Sequence, residues 1–341
     1  MSDIPRLNKF DVQKISQKIE DAETIVLSTH RQCDGDGLGA CLGLYHALKK
    51  IGKKVQLVCV DAIPSKYKFL NTDSFVEVFE EGPCEVQKSD LALIFDTNDY
   101  RQVSPLYEEL QKQCGRVLFV DHHPVLQQGP DPTEGSFIET QAASTGEIAY
   151  FIIKTLGIRL DKNIARALYT SIAFDTQIFR YVKSSSNSHL IASELLIYEH
   201  EGEDIHRMLF STYTPNKIAY LSKVLGEVEF YNNSSVAILR LKLSDLENHG
   251  LEMDDARDVI DMIMNIKELQ AAALFREDQT SVYKLSLRSK GSMEVLSIAE
   301  HFGGGGHLFA AGALIQGEYR KIRDEVLQQI QQRLLQSEKA I

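Results

Sequence analysis

The sequence is short of the features that mark secreted and membrane proteins. Its five cysteines are odd in number and include no CxxC pair, which does not fit a disulfide framework. No apolar run is long enough to cross a bilayer, and the first residues lack the basic start and apolar stretch of a secretory signal. We therefore expect a reduced, cytoplasmic protein that does not act in a membrane.

Basic residues are also in the minority. The chain has 37 lysines and arginines against 48 aspartates and glutamates, giving a formal net charge of -11. Proteins hold long nucleic acids mostly through basic surfaces that contact many phosphates. The charge therefore argues against long nucleic acid as a partner, whereas a short phosphorylated ligand, bound at one local site, is compatible with it.

At 341 residues the chain is long enough for two domains, each with its own core. We predict a first domain over 1–189, a helical linker over 190–222 and a second domain over 223–341. In the first, "TIVLST", a helical stretch and "KKVQLVCV" read as a βαβ unit, and "LALIF" and "RVLFV" are typical of buried parallel strands. The prediction is an α/β fold with a doubly wound, mostly parallel sheet.

After Gly226 the pattern changes to alternating strands bounded by turn residues, including "SSVAILRL" and "SVYKLSLRS". Helices lie between and after these strands. We predict a smaller C-terminal α+β domain, placed across a cleft from the first.

Acidic residues and histidines follow three of the predicted parallel strands. Asp34 and Asp36 lie in "THRQCDGDGLGA", Asp96 follows "LALIF", and Asp121 begins "DHH" after "RVLFV". Parallel strands bind ligands at their carboxyl ends, so these groups should converge. Carboxylate and imidazole ligands suit manganese, magnesium or zinc. For the first stretch alone, a glycine-rich turn that caps the next helix is an equal alternative.

Four motifs together resemble those of the DHH phosphoesterase family: "HRQCDGDGLGA", "LIFDTND", "VDHHP" and "IAFDTQIFRY". In the second domain, "KLSLRSKG" and "FGGGGHLFAAGA" resemble the DHHA1 domain. This pairing is similar to the stand-alone nanoRNase and pAp phosphatase (oligoribonuclease) group. Two positions depart from the family pattern: Cys33 stands where proline is usual, and Gln177 where glycine is common.

The resemblance implies two divalent metal ions, with manganese expected. It assigns one ion to His30 and Asp34, the other to Asp36, His122 and Asp175, and a bridging position to Asp96. It also implies that His123 faces the substrate phosphate and that Asp121 orients the site without binding metal. Cys33 could report oxidation, but a buried packing residue is the simpler interpretation.

In the second domain the resemblance implies a substrate-binding role for Arg288, Gly304, Gly305, Gly306 and His307. Consecutive glycines can turn their N–H groups toward an anion, histidine can donate to phosphate or stack on a base, and arginine can bind phosphate in a bidentate manner. The alternatives are a flexible linker for "GGGGH" and a surface ion pair for Arg288.

The resemblance therefore implies a manganese-dependent phosphodiesterase that hydrolyses short oligoribonucleotides (nanoRNA) to mononucleotides and dephosphorylates 3',5'-phosphoadenosine (pAp). A phosphodiesterase for linear or cyclic dinucleotides, such as pApA or cyclic di-AMP, is the nearest alternative. A pyrophosphatase fits the glycine-rich second domain less well. A RecJ-like exonuclease, which acts on long single strands, fits the acidic net charge less well. A regulator that binds nucleotides without catalysis is the alternative from another functional class. The sequence leaves open whether the protein forms a homodimer.

Overall fold

The computed structural model forms two compact units. It describes residues 9–82, 84–126, 129–183, 185–211, 213–251, 259–290 and 293–339. The first unit contains the described residues up to Val125 and those over 129–211, and the second contains Leu126 and the described residues from Tyr213 onward. Helices of the predicted linker, 190–222, belong to both units.

The first unit is built on six parallel strands in the order β3-β2-β1-β4-β5-β6. Three adjacent strands of this sheet are apolar runs recognised in the sequence, and their side chains are almost all buried. This confirms the predicted parallel sheet. The strands are β1 Thr24–Thr29, β2 Lys54–Cys59, β3 Val76–Val78, β4 Leu91–Phe95, β5 Val117–Asp121 and β6 Phe137–Ile138.

Helices cover both faces of this sheet, as a doubly wound fold requires. One core lies between the sheet and α1, α2, α4 and α5, and the other lies between the sheet and α3. The helices are α1 Gln13–Asp21, α2 Gly35–Lys50, α3 Leu106–Gln113, α4 Thr145–Thr155, α5 Lys162–Asp175, α6 Asn187–Leu195 and α7 Gly202–Phe210. Three short 3₁₀ helices span Ser65–Leu70, Thr72–Ser74 and Tyr100–Gln102.

A close approach of α2 to α5 depends on glycine. A Cβ atom on Gly39 would lie 2.5 Å from the backbone oxygen of Ala167, and one on Gly35 would lie 2.6 Å from Phe174. Neither distance is tolerated between non-bonded atoms, so these positions need glycine. The contact brings the start of α2, where Asp36 lies, next to α5.

The second unit contains a mixed sheet in the order β11-β12-β10-β9-β8-β7. Only β8 and β9 pair in parallel among these described strands. One face packs on α11 and α12, and the other on α8, α9 and α10. The strands are β7 Glu229–Tyr231, β8 Val236–Leu241, β9 Ala271–Gln279, β10 Val282–Ser289, β11 Gly305–His307 and β12 Ala310–Gln316. The helices are α8 Pro215–Gly226, α9 Leu243–Asn248, α10 Val259–Ile263, α11 Leu296–His301 and α12 Tyr319–Lys339.

This unit is the α+β domain expected from the sequence. Within the described part of the chain, no helix combines the length and the apolar character needed for a membrane span.

Candidate metal centre

The candidate centre lies at the carboxyl ends of β1, β4 and β5. These strands pair in register, with Thr29 beside Phe95 and Phe95 beside Val120. The residues that follow them, His30, Asp96 and His122, therefore start from the same edge of the sheet. Asp36 and Asp175 reach this edge from the start of α2 and the end of α5.

His30, Asp34 and Asp96 form a first group of ligand atoms. The Nε2 atom of His30 lies 3.8 Å from Oδ1 of Asp34 and 3.5 Å from Oδ2 of Asp96. The Nδ1 atom of His30 lies 2.8 Å from the carbonyl oxygen of Arg31. A carbonyl only accepts hydrogen bonds, so Nδ1 carries a proton and Nε2 faces the carboxylates as a potential ligand.

Asp36, His122 and Asp175 form a second group. The Nε2 atom of His122 lies 3.5 Å from an oxygen of Asp36, 3.5 Å from one of Asp175 and 3.6 Å from Oδ1 of Asp96. The Nδ1 atom of His122 lies 3.2 Å from the carbonyl oxygen of Ala142, which orients the ring as in the first group. Asp96 thus directs one carboxylate oxygen toward each histidine.

The ligand atoms within each group lie within 4.8 Å of one another. Burial and the neighbouring charge of Asp96 raise the pKa of Asp36 well above its usual range, and the same two causes raise the pKa of Asp175 to about 7. The buried carboxylates of Asp36 and Asp96 concentrate negative charge at the centre, which divalent cations would offset. The donor set and its convergence therefore fit divalent metal ions.

Asp36 is held by groups that were not predicted as part of the site. Its carboxylate accepts hydrogen bonds from the backbone N–H of Thr145 at 2.8 Å and of Gly146 at 3.1 Å, and from the Ser171 hydroxyl. Both N–H groups belong to the first turn of α4, where a helix favours negative charge. From the sequence, Ser144 and Thr145 in "AASTGE" could reach the site, but helix capping is the simpler interpretation there.

Asp121 and His123 form a separate pair beside the two groups. Oδ1 of Asp121 lies 2.8 Å from Nδ1 of His123, and its other oxygen accepts a 2.7 Å hydrogen bond from the Asn98 side chain. Burial lowers the pKa of His123, but the charge and hydrogen bond of Asp121 outweigh it and raise that pKa to about 9. His123 also lies 3.7 Å from Asp96. Asn98 was missed in the sequence, although it lies in "LIFDTND".

A cation that was not anticipated also approaches the second group. The Nζ atom of Lys183 lies 3.5 Å from Nδ1 of His122 and donates a 3.1 Å hydrogen bond to the carbonyl oxygen of Thr140. Burial lowers the pKa of Lys183, and the nearby Asp175 and Asp36 oppose that effect. Its ammonium therefore offsets part of the negative charge of the centre.

The two departures from the family pattern have local explanations. Gln177 has a φ of +48°, in the left-handed region that glycine adopts without steric cost, which accounts for glycine being common there. Cys33 is buried, and a hydrogen bond with Cys59 together with burial raises the pKa of its thiol well above the usual range. A buried, protonated thiol favours the interpretation of Cys33 as a packing residue.

In the second unit, Arg288 and His307 lie in one cross-strand row. Arg288 on β10 pairs with Ala310 on β12, which pairs with His307 on β11. Directly paired residues share a face, so the two side chains start about 10 Å apart, which is two strand spacings. Arg288 is half-buried, and its Nε donates to Asp261 at 3.2 Å.

The glycines before His307 have a structural reason of their own. A Cβ atom on Gly304 would lie 2.0 Å from the carbonyl oxygen of Gly312, and one on Gly306 would lie 2.6 Å from that of Ala310. Gly306 also has a φ of +135°. Gly305 pairs with Gly312 in the same ladder. The close pairing of β11 with β12 therefore requires glycine at 304 and 306, independently of any bound anion.

Two protein-family models match the chain. The model described as the DHH family, N-terminal domain, matches residues 24–172, and the model of the DHHA1 domain matches residues 233–336. Between them they cover the parallel sheet of the first unit and most of the second unit. All six residues of the two ligand groups except Asp175 fall inside the first match.

Known relatives align over nearly the whole chain. A bifunctional oligoribonuclease and PAP phosphatase, NrnA, from Thermus thermophilus is 28% identical over 91% of this chain and 90% of its own length. A probable enzyme of the same name from Streptococcus mutans is 28% identical over 88% of this chain and 92% of its own length. An exopolyphosphatase-related protein from Bacteroides fragilis has a similar structure, with a TM-score of 0.82 and 25% identity over 94% of each chain.

Proposed function

Since this chain belongs to the DHH/DHHA1 phosphoesterase family, we propose that it is a manganese-dependent phosphodiesterase that hydrolyses short oligoribonucleotides to mononucleotides. We propose further that it removes a phosphate from pAp. The names of the Thermus and Streptococcus relatives support both activities. We also propose a cytoplasmic location, which is supported by the free thiols of all five cysteines.

The observation that carries the proposal is the convergence of six side chains in two groups, with Asp96 of the first group also lying 3.6 Å from His122 of the second. Two divalent ions held by such groups would lower the pKa of water and would stabilise both the attacking and leaving oxygens of a displacement at phosphorus. Four carboxylates would offset their four positive charges. These are contributed by Asp34, Asp36, Asp96 and Asp175.

His123 and Asp121 are proposed to handle the substrate phosphate. Asp121 holds the imidazole of His123 in one orientation through the 2.8 Å contact and favours its protonated form. A protonated imidazole can donate a charge-assisted hydrogen bond to a phosphate oxygen. In this assignment Asp121 acts only through His123.

Substrate recognition is proposed for Arg288, Gly304, Gly305, Gly306 and His307 in the second unit. Arginine and histidine start about 10 Å apart on one face of the sheet, with only the small Ala310 between them in the row. Arginine recognises phosphate through two parallel hydrogen bonds, and histidine can stack on a base. Together they would bind one nucleotide of a short substrate.

A substrate panel tests this function. The purified protein is incubated with a diribonucleotide, pAp, pyrophosphate and a cyclic dinucleotide, each with Mn²⁺, with Mg²⁺ and with EDTA. We expect the diribonucleotide and pAp to be hydrolysed fastest, with Mn²⁺ the best metal and EDTA abolishing activity. Faster turnover of pyrophosphate or the cyclic dinucleotide would contradict the proposal and identify that compound as the preferred substrate. Binding of nucleotides without hydrolysis of any ester would identify a regulator.

A further inference from the structure

We propose that Thr145 is a positioning residue that holds Asp36 and Asp96 in place at the same time and thereby strengthens metal binding. The proposal rests on the proposed function, because it concerns carboxylates assigned there to metal ions. It goes beyond that function by giving a role to a residue that contacts neither substrate nor metal in the assignment.

Thr145 contacts both carboxylates directly. It is the first residue of α4 and is fully buried. Its backbone N–H donates to Oδ2 of Asp36 at 2.8 Å, and its hydroxyl donates to Oδ1 of Asp96 at 3.0 Å. One residue at the rigid start of a helix thus connects α2 with the end of β4.

The oxygen that Thr145 contacts is the one that Asp96 directs toward the second group. Oδ1 of Asp96 lies 3.6 Å from Nε2 of His122, whereas Oδ2 lies 3.5 Å from Nε2 of His30. A hydroxyl hydrogen bond to Oδ1 therefore fixes the rotation of the carboxylate that spans the two groups. Mutating groups that orient ligands in this way typically lowers metal affinity or activity by about 10–100-fold.

The backbone of Asp96 is also in an uncommon conformation. Its φ is +64°, in the left-handed region that residues with a Cβ seldom adopt. Its N–H donates to the carbonyl oxygen of Val120 at 3.0 Å, which holds the main chain. The Thr145 hydroxyl holds the side chain, so the backbone and the carboxylate of Asp96 are each fixed by a hydrogen bond.

Helix capping does not account for the Thr145 hydroxyl. The cap of α4 is Ser144, whose side chain accepts a hydrogen bond from the N–H of Glu147 at 3.3 Å. The Thr145 hydroxyl instead points to Asp96. Removing it would thus spare the cap and, because the backbone N–H is retained, would also spare the contact with Asp36.

Three substitutions test the proposal. Thr145→Val removes the hydroxyl at nearly constant volume, Thr145→Ser retains it, and Thr145→Ala removes it with less bulk. Thr170→Val is the matched control, because Thr170 is also fully buried and its hydroxyl donates to a backbone oxygen, that of Arg166, at 2.8 Å. Titration calorimetry with Mn²⁺ on the metal-free proteins gives the affinity, and thermal melts of the same samples report the folded state.

We expect Thr145→Val and Thr145→Ala to weaken Mn²⁺ binding by about 10–100-fold. Thr145→Ser should stay within a few-fold of the unsubstituted protein, and Thr170→Val should leave the affinity unchanged. Unchanged affinity in either hydroxyl-free variant, or an equal loss in Thr170→Val, would overturn the positioning role while leaving the proposed function standing. An unsubstituted protein that binds no Mn²⁺ would instead overturn the proposed function.

Discussion

The imidazole of His123 is joined to the carboxylate of Asp121 by a 2.8 Å contact, and Asp121 is fully buried. The same carboxylate accepts a hydrogen bond from the backbone N–H of His122 at 2.8 Å and one from Asn98 at 2.7 Å. Asp121 therefore accepts hydrogen bonds from several donors, which fix its carboxylate. The fixed carboxylate in turn orients the imidazole of His123, which is proposed to contact the substrate phosphate.

Replacing Asp121 by asparagine should separate catalysis from metal binding. Asp121→Asn removes the charge that favours protonated His123, so we expect kcat to fall by about 10–100-fold, as for other residues that orient catalytic groups. Steady-state kinetics with a diribonucleotide and metal analysis of the same sample check this. Loss of a bound ion would instead identify Asp121 as a ligand.

Asp96→Ala should abolish hydrolysis of every substrate, because this carboxylate belongs to the first ligand group and also lies 3.6 Å from His122 of the second. Metal analysis should show reduced occupancy at both positions, while circular dichroism stays close to that of the unsubstituted protein. Asp73→Ala, at an exposed aspartate of the same unit, is the control and should change neither activity nor metal content. Near-normal turnover with two ions retained would contradict the bridging assignment.

Arg288→Ala and His307→Ala should weaken substrate binding more than catalysis, because both residues lie in the unit that lacks the two ligand groups. We expect KM for a diribonucleotide to rise while hydrolysis of a small chromogenic phosphodiester is largely spared. Arg323→Ala, which removes an arginine paired with Glu229 and Asp324, controls for lost positive charge in the same unit. Equal losses on both substrates would argue against this division of roles.

The stabilisation that Mn²⁺ gives should grow as pH rises. The raised pKa values of Asp175, about 7, and His123, about 9, mean that the folded, metal-free protein binds more protons than the unfolded chain. Its stability therefore falls as pH rises from about 4 to 7 for Asp175, and from about 6.5 to 9 for His123. Metal ions bind the deprotonated carboxylate of Asp175, which is an assigned ligand, and remove its part of this loss, whereas His123 is not an assigned ligand.

The measurement is the difference in Tm between samples with Mn²⁺ and with EDTA, from about pH 6 to about pH 8.5. Titratable groups far from the centre affect both Tm values equally, so their contributions cancel in that difference. A Tm difference that stays constant or shrinks as pH rises would contradict the assigned ligands. In Asp175→Asn, the Tm difference should increase less with pH than in the unsubstituted protein.

Much of the first unit could be predicted from sequence because its strands are continuous apolar runs. Such runs as "LALIF" are typical of strands buried on both faces, and the charged residues after them mark the strand ends. Strands β3 and β6 were not predicted. They contain only three and two residues, and they are partly exposed, so no apolar pattern distinguishes them from loops.

The groups that support the ligands could not be predicted, because each depends on a contact between distant parts of the chain. Thr145 is separated from Asp36 by 109 positions, and Ser171 by 135. A serine or threonine at the start of a helix is usual, and nothing in its neighbours indicates a second partner. The glycines at 304 and 306 illustrate the converse, since their sequence suggested an anion site while their geometry shows close strand pairing.

Substrate length tests the central claim most directly. With Mn²⁺ and equal concentrations of ends, the rate of hydrolysis is measured for a diribonucleotide, a tetranucleotide and a strand of about 24 nucleotides, on the order of several times the expected site. A net charge of -11 offers few phosphate contacts to a long strand. We predict that the two short substrates are degraded much faster, with only a shallow loss of binding as salt increases. Comparable rates on all three lengths would contradict the assignment to short oligoribonucleotides and favour a RecJ-like exonuclease.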